Sequence, residues 1–446
     1  MSDTAVLDVA AALAHQGVNR FLLRVLGVSA LIAFFDGFDQ NVISFAAPTI
    51  APALGLDPTM IGNIFAMGNV GSMLGGFLFG ALGDRLGRRP TAILAALMFS
   101  TLTLTVALAS SYESMLLVRF AVGIGTGGLL PVCWALNVEY APKRFRSSIV
   151  TLVMLGYSAG ASLGGPAVIC LVPNFGWQSV FVIGGVLSLL ATGALIALLP
   201  ESVRFLTARD RDHAGIRHIL GQVAPAVPVP DGARFVLGDE ESKPKRLSPA
   251  LLFEGTLRWV TPMLWLATMF SSVATFFLTS WTPLVFHALA FPSAEAAAAG
   301  SITAIAGAIG GLALMRFTDR HGAIAVAAMP LLAIPLLLIG GLVDVGSAGL
   351  LILVAAIAFA LIGGHLGMNS LAGIYYPSAL RATGAGWATA VGKIGSIAGP
   401  LLAGIILATG LPTRNIFAVA GLCPALMLVC LAVLGRIQHG VTSRKA

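Results

Sequence analysis

Five ionisable side chains sit where an apolar chain has little reason to keep them. Asp36 and Asp39 form "FFDGFD" inside "VLGVSALIAFFDGFDQNVISFAAP". Arg119 falls in "LLVRFAVGIGTGG", His365 in "LIGGHLGMNS" and Lys393 in "WATAVGKIGSIAGP". If these segments cross a membrane, one ionised side chain near a helix centre costs about 2.5–3.5 kcal/mol. Two unpaired carboxylates then cost about 5–7 kcal/mol, which structure alone does not require. Spaced i,i+3, Asp36 and Asp39 share a helix face, and Gly37 between them leaves room for another backbone or a ligand. Desolvation favours the neutral acid and a nearby arginine favours the carboxylate. A carboxyl balanced between the two can take and release a proton. Asp36 and Asp39 would titrate as a coupled unit, so either can carry it. Arg119 is the natural partner, since it and Asp39 lie at similar depth in their segments. The alternative is a fixed structural Asp–Arg pair.

The rest of the chain says what must position these groups. It has 446 residues, 57% hydrophobic and 10% charged, and a mean hydropathy of +0.92. Soluble domains carry roughly 25% charged residues, so a soluble fold is excluded. A spanning helix needs about 20 apolar residues. Twelve such segments are legible between residues 21 and 436, and the expected fold is an all-α polytopic membrane protein. The expected layout is a tail at 1–20, a six-helix half at 21–199, a partly disordered linker at 200–257, a second six-helix half at 258–436 and a tail at 437–446. The start carries Asp3 and Asp8 and no early Lys or Arg, which argues against a cleaved signal.

Of the 26 Lys and Arg residues, 23 fall in the termini, the linker and the loops on one side. Arg414 is alone on the other side, and Arg119 and Lys393 lie within spans. The positive-inside rule then places both termini in the cytoplasm. This bias, rather than a nucleic-acid partner, explains the basic pI. The four cysteines sit in apolar segments with no metal spacing and read as small core residues rather than disulfides or metal ligands.

A single gap-free shift of 235 residues superposes Gly76, Asp84, Arg85 and Gly87 on Gly311, Asp319, Arg320 and Gly322. It also superposes Tyr140, Pro142, Arg146, Gly160 and Gly164 on Tyr375, Pro377, Arg381, Gly395 and Gly399. The two halves are therefore repeats of one orientation, an arrangement that puts a substrate near the bilayer midplane between them.

"GALGDRLGRR", Gly80 to Arg89, resembles the signature loop of the major facilitator superfamily. Gly80 and Gly87 allow close approach and a tight turn, and Asp84, Arg85, Arg88 and Arg89 can bond neighbouring helix ends. Such a latch would favour the outward-open state. Asp319 and Arg320 repeat it more weakly in "RFTDRHG". The glycine rows "GYSAGASLGGP" and "GKIGSIAGP" read first as helix packing. With "DGFD", "SWTP" at Ser280–Pro283 and "GMNSLAGIYYPSALRATGAGWA" at Gly367–Ala388, residues 20–436 resemble the aromatic acid:proton symporter family. A lysine, Lys393, stands where that family suggests an arginine, which keeps the charge and loses the bidentate fork.

The resemblance implies the major facilitator fold, twelve transmembrane helices in two six-helix halves, working as a monomer in the bacterial inner membrane. It implies import of a small aromatic carboxylate with a proton, driven by the proton gradient and without a cofactor. Asp36, Asp39 and Arg119 are then the proton-coupling residues. Lys393 is expected to meet the carboxylate with His365 and Asn369, and Trp281, Phe38 and Tyr375 to offer faces to the ring. Two other readings stand beside it. A proton-coupled efflux antiporter fits the glycine row in the fifth span, although a cationic drug should want an acid in the second half. A non-transporting aromatic-acid receptor would need an output domain. An enzyme is disfavoured, since no phosphate loop, metal cluster or activated nucleophile is legible.

Overall fold

A computed structural model describes residues 6–442 apart from residues 15–16, 18, 143–144, 210–211, 226, 231–232, 239–248, 344, 378–379 and 413–414. The side chains at positions 14, 146–147, 249, 315–316, 319–320, 347, 369, 382 and 438–442 are likewise outside the description. Strand β1 (Val6–Asp8) and helix α1 (Val9–Ala14) precede the first long helix. The first half is α2 (Arg20–Leu54), α3 (Pro58–Leu86), α4 (Arg88–Val106), α5 (Tyr112–Tyr140), α6 (Arg146–Phe175) and α7 (Gln178–Leu198). Helices α8 (Val203–Ala208) and α9 (His213–Val223) and strand β2 (Arg234–Val236) follow. The second half is α10 (Leu257–Ala288), α11 (Ser293–His321), α12 (Ala323–Leu342), α13 (Gly346–Tyr375), α14 (Arg381–Ala408), and α15 (Asn415–Ala420) with α16 (Leu422–Thr442). Among the described residues twelve stretches are long and apolar enough to cross a membrane, the last spanning α15 and α16.

Local chemistry sets the helix ends. The Asn19 side chain accepts from Leu22 N at 2.9 Å to start α2, and Gly55, at φ 64°, ends it. Asp57 accepts from Met60 N at 2.8 Å ahead of Pro58, which supplies an N-cap and a residue that needs no helical N–H partner. The repeat is exact at several boundaries. A shift of 235 carries both ends of α3 onto those of α11, the start of α4 onto that of α12, the end of α5 onto that of α13 and the start of α6 onto that of α14.

Within the first half α2 packs on α6 and α3 on α5, and α10–α14 and α11–α13 repeat this in the second. The glycine rows make these contacts. A Cβ at Gly37 would land on the Tyr157 carbonyl, and one at Gly160 on the Phe34 carbonyl. In the second half a Cβ at Gly395 would meet the Met269 carbonyl. Packing without an oil–water driving force relies on this close backbone approach.

The halves meet through α3 with α14, α6 with α11 and α2 with α10. Their contacts gather on the side away from the termini. There Ser44 Oγ donates to the carbonyls of Thr279 and Ser280 at 3.0 and 2.6 Å. A Cβ at Gly62 would meet the Pro400 carbonyl, at Gly404 the Pro58 carbonyl and at Gly165 the Ala297 carbonyl. The molecule is closed on this far side.

Regular structure occurs in the described part of the linker, while residues 239–248 lie outside the description. Helix α9 buries Ile216, Leu220 and Val223, an i, i+4, i+7 stripe that needs a partner. Helix α8 packs against it, and β1 pairs in parallel with β2, Val6 with Arg234 and Asp8 with Val236. Phe235, Val9 and Leu13 are buried there. The N-terminal segment and the first part of the linker thus form one small layer, with α9 against α2.

Candidate functional site

Three long helices converge on Asp39. It is 1% exposed and accepts from Arg119 Nη1 of α5 at 3.0 Å and from Thr103 Oγ1 of α4 at 3.1 Å. Arg119 is 5% exposed, and its Nε has no acceptor among the described residues. Asp39 therefore has a cation and a hydroxyl as donors in a buried setting, where charge-assisted bonds are strong and the loss of one partner is costly.

Asp36, one turn away, is arranged differently. It is 2% exposed, and its Oδ1 has no hydrogen-bond partner among the described residues. Its charged neighbours are Asp39 on its own helix and Lys393 across the interface. Tyr157 of α6 also faces it, beside Asn41. Lys393 donates from Nζ to Ser72 Oγ of α3 at 3.0 Å. One turn further along α3 and α14, Asn69 donates from Nδ2 to the Ser396 carbonyl at 3.1 Å. His365 shares a 3.2 Å hydrogen bond with Ser271 Oγ and lies within electrostatic reach of Lys393. The structure therefore joins Asp39 to Arg119 and sets Asp36, Lys393 and His365 around the interface between the halves.

The aromatic candidates are placed elsewhere. Trp281 is 2% exposed, donates to the Pro400 carbonyl at 3.2 Å and meets the Phe65 ring edge-on at 5.9 Å. It packs the closed far side rather than offering a face to a ligand. Phe38 points at Gly184 of α7, into its own half. Tyr375 ends α13 on the termini side, with its hydroxyl near the Ala323 backbone. The period of the helix explains these orientations: aromatic residues near a site in sequence rotate onto packing faces. The Asn369 side chain lies outside the described residues.

The signature loop bonds within its own half. Arg88 pairs with Asp84 at 2.8 Å and approaches Glu139 at 3.6 Å. Glu201 Oε1 accepts from the backbone N of Arg88 and Arg89 at 2.9 and 3.2 Å, capping α4. Arg89 donates to the Ile196 carbonyl at 2.8 Å, and Arg85 is exposed. Gly87 takes φ 110°, as its turn requires, whereas a Cβ on Gly80 would meet open space. Gly80 therefore makes no close approach here. The Asp319 and Arg320 side chains lie outside the described residues.

Several polar residues escaped the sequence reading: Ser29, Ser72, Thr103, Asn137 and Tyr157. They carry no charge, and only their placement around the ionisable groups in the fold marks them.

A family model described as Major Facilitator Superfamily matches residues 29–400. The chain belongs to this superfamily. Two curated relatives within it match nearly the whole chain. The gallate transporter of Pseudomonas putida is 33% identical over 425 residues, covering 94% of this chain and 93% of the relative. The 4-hydroxybenzoate transporter PcaK of Pseudomonas putida is 31% identical over 434 residues, covering 97% of each. The crystal structure of a D-xylose-proton symporter superposes with a TM-score of 0.70 at 18% identity, over 91% of this chain and 97% of that one. The superfamily fold, with its two six-helix halves, is thus the fold of this multi-pass membrane protein. These relatives are transporters, not enzymes.

Proposed function

We propose that this protein imports a small aromatic carboxylate together with a proton, by alternating access, across the bacterial cytoplasmic membrane. The termini and the linker face the cytoplasm, in keeping with the positive-inside bias. The far-side closure is then an inward-facing arrangement. The observation that carries the reading is the unequal treatment of the two aspartates. Asp39 is bound to Arg119 and Thr103, while Asp36 is equally buried but has an oxygen without a donor and faces Lys393 of the other half. In this reading Asp36 takes the proton and Lys393 receives the carboxylate. An anion and a proton then enter together as a neutral pair, so a potential that is negative inside no longer opposes entry. That opposition amounts to about 2.3 kcal/mol per charge per 100 mV. The named substrates of the relatives, gallate and 4-hydroxybenzoate, support an aromatic acid, and the proton gradient is the only energy source invoked.

The test uses purified protein in liposomes with labelled benzoate, 4-hydroxybenzoate and gallate. An inward proton gradient should drive accumulation of at least one acid, a protonophore should abolish it, and Asp36→Asn should retain only exchange. If none of the three accumulates, or Asp36→Asn concentrates substrate normally, the reading fails.

A further inference from the structure

The structure presents a problem for proton release. The halves are joined on the far side, yet Asp36 remains 2% exposed. Its surroundings contain a second polar line that the substrate reading does not use. Cys133 of α5 lies within electrostatic reach of Asp36, and its thiol sits beside Ser29 of α2. Asn137, one turn along α5, donates from Nδ2 to Ser29 Oγ at 2.6 Å and to the Cys133 carbonyl at 2.8 Å. Ser29, Cys133 and Asn137 are 0–1% exposed. Among the described residues, the line has an acceptor without a donor at each end, Asp36 Oδ1 and Asn137 Oδ1. Buried acceptors of this kind call for a donor, and water is the small molecule with two protons to offer. Past Asn137, α5 ends in Glu139 and Tyr140, which bond Ser202 and the Glu201 carbonyl on the termini side.

We infer that the proton leaves Asp36 along this seam between α2 and α5, inside the N-terminal half, on a route separate from that of the substrate. The inference rests on the symport reading above. The acid O–H of Asp36 passes its proton to a water in the seam and becomes a carboxylate. The Ser29 hydroxyl takes a proton on one side and gives up its own on the other, so it ends unchanged. Asn137 does not titrate, and its carbonyl orients the water that carries the proton onward to the termini side. The other titratable groups facing Asp36 are Asp39 on α2, Cys133 on α5, Tyr157 on α6 and Lys393 on α14. Arg119 is engaged with Asp39.

The test compares two activities of the same liposomes, using whichever of benzoate, 4-hydroxybenzoate or gallate the unaltered protein accumulates. Exchange of internal for external substrate can proceed with the proton still on the carrier. Net uptake requires proton release. Ser29→Ala and Asn137→Leu should keep exchange within about twofold and lose gradient-driven uptake, and proton entry read by an internal pH dye, by at least about tenfold. Ser29→Thr keeps the hydroxyl and should keep coupled uptake. If Asn137→Leu does not fold, Ser29→Ala against Ser29→Thr decides. Normal accumulation in Ser29→Ala overturns the seam, as does a parallel loss of exchange and uptake, while symport itself stands. If the unaltered protein accumulates none of the three acids, the symport reading falls and the seam with it.

Discussion

Ser44 touches its own counterpart in the repeat. Its hydroxyl donates at 3.0 Å to the carbonyl of Thr279, 235 residues away. The pseudo-twofold axis relating the halves therefore passes through this contact on α2 and α10. Around it, Gly62 and Gly404 bring α3 and α14 close enough for backbones to touch. Tight, small-residue contacts of this kind can part and re-form as rigid surfaces, which alternating access requires.

A side chain added to that face tests the motion. A Cβ built on Gly404 would lie 2.7 Å from the Pro58 carbonyl, so Gly404→Val should keep α3 and α14 apart on the far side. Uptake should fall at least about tenfold, because a face that no longer closes removes one of the two states. Uptake equal to that of the unaltered protein, with an unchanged melting temperature in detergent, would argue against far-side closure.

The Asp39–Arg119 pair separates stability from transport. Removing one partner of a buried pair costs about 3–5 kcal/mol, whereas replacing both with apolar groups is often neutral. Asp39→Ala or Arg119→Leu alone should therefore lower the melting temperature in detergent, and the double variant should recover most of the loss. Transport should remain absent in the double variant if the pair serves coupling. A double variant that both melts normally and accumulates substrate would make the pair structural only.

Much of this was legible before the structure because charge in an apolar helix is conspicuous and a gap-free repeat is hard to mimic. Asp36, Asp39, Arg119 and Lys393 each stood out as a charge in a span, and the 235-residue shift carries helix ends onto helix ends. What sequence did not convey was direction. Phe38 and Trp281 sit at plausible positions, but helix rotation sends one toward Gly184 and the other into the interface. Ser29 and Asn137 are common residues whose role depends on facing each other across two helices 108 residues apart in sequence. The linker hid its order because β1 and β2 are three residues each and are defined only by their pairing.

Gly80 and Gly87 belong to the same motif but should respond differently. Gly87 holds φ 110° and ψ 164°, a region essentially limited to glycine that costs other residues about 1–3 kcal/mol. Its new methyl would also strike the Glu201 carboxylate that caps α4. Gly87→Ala should lower thermal stability by that amount. Gly80 lies inside α3 with open space beside it, so Gly80→Ala should be neutral or gain about 0.5–1 kcal/mol. Thermal unfolding of both in one detergent reads the contrast, and an equal loss in both would mean that the turn at Gly87 is not what the motif protects.

Lys393 gives the most direct reading of substrate recognition. It lies between Ser72, which it bonds at 3.0 Å, and Asp36, whose charge it feels. A hydrogen bond to a charged partner is worth about 1.5–3 kcal/mol, so removing the ammonium should weaken acid binding by about 10- to 150-fold. Lys393→Ala should show that loss in equilibrium binding of the accumulated acid, and Lys393→Arg should keep most of the affinity. The corresponding neutral amide of the acid should bind poorly to the unaltered protein and be nearly indifferent to Lys393→Ala, because it brings no carboxylate to pair. If the acid binds Lys393→Ala as tightly as the unaltered protein, the carboxylate is held elsewhere. The lysine would then serve only as the counter-charge to Asp36, a role that predicts a coupling defect with unchanged affinity.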